Sequence, residues 1–89
     1  MISREFTISN KLGLHARPSA QITQIASRYE SEVWLAKNGR RVNAKSIMGV
    51  MMLAAGHGSV LTVEADGADA AEVINAIGQL IETRFGEHE

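Results

Sequence analysis

Residues 12–18 read Leu-Gly-Leu-His-Ala-Arg-Pro, a run in which a histidine sits where a loop becomes a helix. Pro18 marks the helix start, because the first turn tolerates proline and the helix interior does not. Backbone N–H groups at such a start have no partner inside the helix and carry the positive end of its dipole. An imidazole at His15 therefore lies beside an anion site, with the Arg17 guanidinium next to it. That is what a histidine needs to hold a phosphoryl group. The same positive end favours a neutral ring, with one nitrogen free to attack phosphorus.

A second stretch with chemical content covers residues 43–53, Asn-Ala-Lys-Ser-Ile-Met-Gly-Val-Met-Met-Leu. Ser46 precedes a helical run and suits its N-cap, where a hydroxyl accepts from a backbone N–H two or three residues on. Residues 47–56 carry no charged or strongly polar side chain, so this helix lacks the polar face of an ordinary surface helix. Val50, Leu53 and Ala54 fit one buried stripe, which leaves Ile47, Met48 and Met51 to point elsewhere, in a small protein the surface. Exposed methionines suit binding to several partners, since unbranched thioether chains repack cheaply. The alternative is that all of them are core.

Other polar residues carry less. His57 lies between two glycines and reads as an exposed loop histidine with no second metal ligand spaced for it, and His88 in the acidic tail reads the same way. Gln21, Gln24, Ser27 and Arg28 form the polar face of the first helix, close enough to His15 to join a docking surface. Arg40, Arg41 and Lys45 form a mild basic cluster that reads as a solvated face.

The elements that must position these residues follow from hydrophobic period. Residues 2–8 alternate, with Ile2, Phe6 and Ile8 on the core side and Arg4 as an intruder. Ile22, Ile25, Ala26 and Tyr29 form the stripe of an amphipathic helix. Residues 32–37 alternate around Val33 and Leu35, Asn38-Gly39 is a strong hairpin signal, and residues 40–43 return as a partner strand. Residues 60–66 make a fourth strand. A last helix over about residues 69–84 carries Val73, Ile74, Ile77, Leu80, Ile81 and Arg84, with Asp69 and Glu72 as its capping pair and Phe85-Gly86 as its stop. Ser3, Glu5, Thr7, Trp34, Thr62 and Glu64 supply a polar second face, so the helices belong together on the other. The order β-α-β-β-α-β-α then predicts an α+β open-faced β-sandwich, a four-stranded antiparallel sheet with three helices on one face, as a single domain over residues 1–89.

Composition excludes several classes. A net charge of −1 offers no bulk attraction to nucleic acid or an anionic membrane. The absence of cysteine removes disulfides and thiolate metal sites and fits a reducing cytoplasm. The N-terminus lacks a signal core, and no apolar run reaches the length of a bilayer span. The expectation is a soluble cytoplasmic protein without membrane insertion. An RNA-binding sheet would need several aromatics on its open face, and Trp34 stands alone there.

Both motifs, in register and over essentially the whole chain, resemble those of the HPr family, the histidine phosphocarriers of the bacterial phosphoenolpyruvate-dependent phosphotransferase system. The resemblance implies that His15 accepts a phosphoryl group on Nδ1 from enzyme I and donates it to IIA domains, with Arg17 contacting the group. It implies phosphorylation of Ser46 by HPr kinase/phosphorylase, and docking through the helix bearing Ile47, Met48 and Met51 and through Gln24. Such a carrier needs no cofactor or metal, is expected to be monomeric, and leaves catalysis to its partners. Ser19 departs from the small apolar residue commoner there and is expected to face solvent. A nitrogen-related paralogue with a regulatory role would share the His15 chemistry, although the Ser46 context favours the kinase-regulated branch. A small phosphatase or acyl hydrolase would need a second acid or nucleophile beside His15, and the sequence places neither a carboxylate nor a cysteine next to it.

Overall fold

The computed structural model of the chain describes residues 1–87. It contains strands β1 (Ile2–Thr7), β2 (Glu32–Lys37), β3 (Arg40–Asn43) and β4 (Val60–Asp66). The helices are α1 (Ala16–Ser27), α2 (Ile47–Met52) and α3 (Ala70–Glu82), and a 3-10 turn follows at Arg84–Gly86. The strands pair in the order β1-β4-β2-β3, antiparallel at every junction. The expected open-faced sandwich is the fold the chain adopts.

Period-two alternation decides which side of the sheet is covered. Leu61, Val63 and Ala65 of β4 and Val33 and Leu35 of β2 are buried against Ile22 and Ala26 of α1 and Val73, Ile74, Ile77 and Ile81 of α3. Asn38 and Gly39 both take positive φ, 52° and 81°, the geometry that lets a two-residue turn follow the twist of β2 and β3. Gly78 is in the middle of α3 because a Cβ there would lie 2.4 Å from the Phe6 ring. Helix and β1 approach closely at that point.

Several expectations are overturned at element ends. Ile2 is exposed, and Arg4 on the covered side lays its guanidinium 4.9 Å from the Phe6 ring centroid and donates to Asn75 of α3 at 2.8 Å. Ala54 is exposed rather than part of the α2 stripe. The helix has ended, Ala54 turns left-handed at φ 53°, and Ala55 takes the buried place. The basic cluster is engaged within the fold. Arg40 donates to the Met52 carbonyl at 2.9 Å and Lys37 to that of Ala54 at 3.1 Å, so the hairpin supplies the cations that the end of α2 lacks. Lys45 does the same for the Tyr29 carbonyl, 3.0 Å away, just beyond α1. Arg41 pairs with Glu64 and stacks 3.9 Å over half-buried Trp34 on the open face.

Asp69 does not cap α3 through its side chain. Its carboxylate accepts from the backbone N–H groups of Glu30 and Ser31, both at 2.9 Å, and from the Ser31 hydroxyl. A tertiary clamp between α3 and the entry to β2 has displaced the local capping pattern. The Ser31 hydroxyl, followed by the Glu30 amide, holds the Asp69 carboxyl below its usual value, against the effect of burial. A carboxyl lowered in this way contributes stability that is present above the unfolded value near 3.8 and lost as pH falls through the native one. The gap in urea midpoint between the protein and Asp69→Asn is expected to be widest well above 3.8 and to shrink as pH falls below that value. A gap of constant size down to acid pH would contradict this assignment.

Candidate functional site

The chain reaches His15 through a tightly held loop. Gly13 has φ 66°, and a Cβ on it would lie 2.4 Å from the Ala55 carbonyl oxygen, so this position requires glycine twice over. The Leu14 N–H donates to that same Ala55 carbonyl at 2.9 Å, tying the loop before α1 to the segment after α2. His15 then takes the N-cap position of α1 in an extended conformation, φ −77° and ψ −171°. The first turn that follows contains Pro18, buried and without an N–H, which leaves the Ala16 and Arg17 N–H groups at the open helix start.

The imidazole is half exposed, its side chain 36% accessible, and its Nε2 lies 2.7 Å from a carboxylate oxygen of Glu87. The other Glu87 oxygen accepts from Asn10 Nδ2 at 3.0 Å, and the same amide nitrogen donates to the Gly13 carbonyl at 2.9 Å. Asn10 is fully buried. Its amide orientation follows from its surroundings, since both partners are acceptors and only the NH2 end can face them. Asn10 first, then His15 and the nearby charge of Arg17, hold the Glu87 carboxyl below its usual range, with burial opposing. An ionised carboxylate can only accept, so Nε2 carries a proton in this contact, and in the neutral ring that leaves the lone pair on Nδ1.

Glu87 reaches this position because the chain turns back on itself after α3. Arg84 and Phe85 both take φ 57°, and Phe85 drives its ring into the core, among the largest fully buried side chains of the molecule. Gln21 of α1 fastens the turn by donating to the Phe85 carbonyl at 3.3 Å. The expectation that no carboxylate adjoins His15 is therefore corrected. The pair does not amount to a catalytic triad: among the described residues the ring's hydrogen-bond partner is Glu87, and no hydroxyl or thiol bonds to it. Only the spacing of Glu87 beyond a glycine could have hinted at this, and a contact across 72 residues has no local signature.

Arg17 is exposed beside the histidine and, among the described residues, makes no hydrogen bond or ion pair, so its guanidinium faces solvent at the helix start. Gln24 is exposed on the same side of α1, two turns further on. Ser19 is not exposed as expected: it is 0% accessible and donates to the Leu14 carbonyl at 3.3 Å. The signal was in the helical period, since residues 19, 22 and 26 share the buried stripe.

Ser46 is the N-cap of α2, its Oγ accepting from the Gly49 N–H at 3.1 Å. Ile47, Met48 and Met51 are exposed, Met48 to 69%, while Val50 and Leu53 fill the core side. Met52 and Leu12, the latter on the loop before His15, are exposed as well. The Leu14–Ala55 hydrogen bond thus joins the two segments that carry an imidazole and an apolar patch. His57 is exposed in its glycine turn, and His88 lies outside the described residues.

Comparison with known proteins places the chain in a family. The family described as the PTS HPr component phosphorylation site matches residues 2–83. The phosphocarrier protein HPr of Cupriavidus necator is 58% identical over 89 residues, the whole of both chains. The crystal structure of HPr-C-His from Thermoanaerobacter tengcongensis superposes with a TM-score of 0.96 at 46% identity, covering all of both chains. A second structure from that organism, described as an HPr dimer, has a TM-score of 0.79 at 47% identity and covers 98% of this chain and all of that one. Fold and family are those of a phosphocarrier protein. The chain belongs to the HPr family of the phosphotransferase system.

Proposed function

We propose that His15 is the residue that carries the phosphoryl group, receiving it from phosphorylated enzyme I and delivering it to IIA domains. The observation that carries this reading is the partly exposed imidazole at the N-cap of α1, its Nε2 against Glu87 and Arg17 beside it. Nδ1 attacks phosphorus in line, the N–P bond of the donor breaks, and the donor keeps the electron pair. The Ala16 and Arg17 N–H groups and the Arg17 guanidinium offset the negative charge of the arriving oxygens. The chain then acts as a stoichiometric cytoplasmic carrier rather than an enzyme, with no metal or cofactor of its own. Its monomeric state would be read from light scattering, since the dimer described for one relative is a property of that protein. Incubation with phosphoenolpyruvate and enzyme I is expected to give stoichiometric, acid-labile and alkali-stable phosphorylation, as for a phosphoramidate. Absence of uptake would end the reading.

Arg17→Ala is expected to slow transfer and leave the fold intact, because the guanidinium touches no core group. Loss of one charge-assisted contact costs ~1.5–3 kcal/mol, about ten- to a hundredfold in rate. An unchanged rate with both enzyme I and a IIA domain would make Arg17 a bystander.

Ser46 is proposed as the target of HPr kinase/phosphorylase, and the exposed Ile47, Met48 and Met51, with Gln24, as the docking surface for the carrier's partners. A phosphate at an N-cap complements the helix start, so the fold survives, while about two negative charges enter the edge of an apolar patch. Ser46→Asp is expected to keep the melting temperature at or above the parent value, since aspartate is an equally good N-cap. Its transfer from enzyme I is expected to slow by about tenfold, ~1.4 kcal/mol. Met48→Ala should weaken the same association without adding charge. If neither substitution alters transfer, α2 is not the docking surface and Ser46 is a structural cap.

A further inference from the structure

We infer that Glu87 is a positioning residue for phosphoryl transfer: held by Asn10, it fixes the ring of His15 in the Nε2–H tautomer and faces the positive charge that the ring acquires. The inference rests on His15 being the phosphoryl acceptor and adds a residue that acts through it. The geometry is a relay of three side chains from separate parts of the chain. Buried Asn10 donates to one carboxylate oxygen at 3.0 Å, and the other oxygen lies 2.7 Å from Nε2. When Nδ1 uses its lone pair to form the N–P bond, the donor's bond to phosphorus breaks and its electrons stay with the donor. The imidazole keeps its Nε2 proton, now has both nitrogens substituted, and becomes cationic. The carboxylate is already in place to offset that charge, as a buried aspartate does for the histidine of a serine hydrolase. On delivery the N–P electron pair returns to Nδ1, the ring charge vanishes, and the Nε2 proton has not moved. One contact thus serves both directions of transfer.

Glu87→Gln is the informative substitution, because it retains the shape and removes one acceptor. Two donors, Asn10 Nδ2 and the imidazole N–H, would then compete for a single amide oxygen, and the amide NH2 would face whichever loses. Nitrogen-15 NMR of the His15 ring at neutral pH reads the tautomer directly, and single-turnover transfer from phosphorylated enzyme I reads the rate. In the parent protein the Nε2–H form is expected to dominate. In Glu87→Gln the Nδ1–H form is expected to rise, with transfer slowed about ten- to a hundredfold, as for the carboxylate partner of a metal-bound histidine. The KM for enzyme I and the melting temperature should stay at the parent values. An unchanged tautomer or an unchanged rate overturns the inference, and a slower rate arising only through KM would place Glu87 in docking instead. Should the parent protein take up no phosphate, the functional reading fails, and the tautomer contrast alone decides whether Glu87 positions the ring.

Discussion

Phe85→Ala is expected to destabilise the protein by ~3–5 kcal/mol, the range for truncating a buried phenylalanine. For a chain of this length the whole stability is ~5–13 kcal/mol, so the loss is a large fraction of it. The ring is 1% exposed and closes the core at the end of α3. It also holds a conformation that the backbone would otherwise leave, because Arg84 and Phe85 both sit at φ 57°, which costs an L-residue roughly 1–2 kcal/mol. Burial of the side chain is what keeps the turn closed. Without it, Glu87 and the Gln21–Phe85 hydrogen bond are released together. The variant should therefore show two effects: a lower urea midpoint, and a His15 ring whose NMR signals depart from those of the parent while the protein is still folded. A loss below about 1.5 kcal/mol, or an unaltered His15 ring, would contradict the view that this turn supports the site.

Much of the architecture was legible because it is written in short-range patterns. Val33 with Leu35, and Leu61 with Val63, mark the covered face of the sheet by alternation alone, and Asn38-Gly39 places the hairpin by its demand for positive φ. His15, Arg17 and Ser46 were legible for the same reason, since each sits in a contiguous motif at a helix start. What escaped is long-range. Asn10 and Glu87 are 77 residues apart and meet only through the turn at Phe85, which in the sequence looks like a plain helix stop. Asp69 followed by Glu72 fits a capping pair, yet three donors from residues 30 and 31 compete for the Asp69 carboxylate and win. Ser19 looked exposed because it is polar, although its place on the stripe with Ile22 and Ala26 buries it. In each of these cases a tertiary partner outweighed a local preference.

His15→Ala is expected to have the largest functional effect, since it removes the atom proposed to form the bond to phosphorus. Ser19 and Ser31 are buried and already bonded, and Ser46 caps α2, so none of them presents a nucleophile beside Arg17. His57 is exposed but lies in a glycine turn that offers no helix start and no neighbouring arginine. The fold should be retained, because the imidazole is partly exposed and its one side-chain partner among the described residues, Glu87, can turn to solvent. The most direct test phosphorylates the parent protein and His15→Ala with phosphoenolpyruvate and enzyme I and locates the phosphate by phosphorus-31 NMR. One acid-labile signal is expected from a phosphorus bonded to Nδ1 of His15 in the parent protein, and none in the variant. Equal uptake by His15→Ala, or a signal from any other residue, would contradict it.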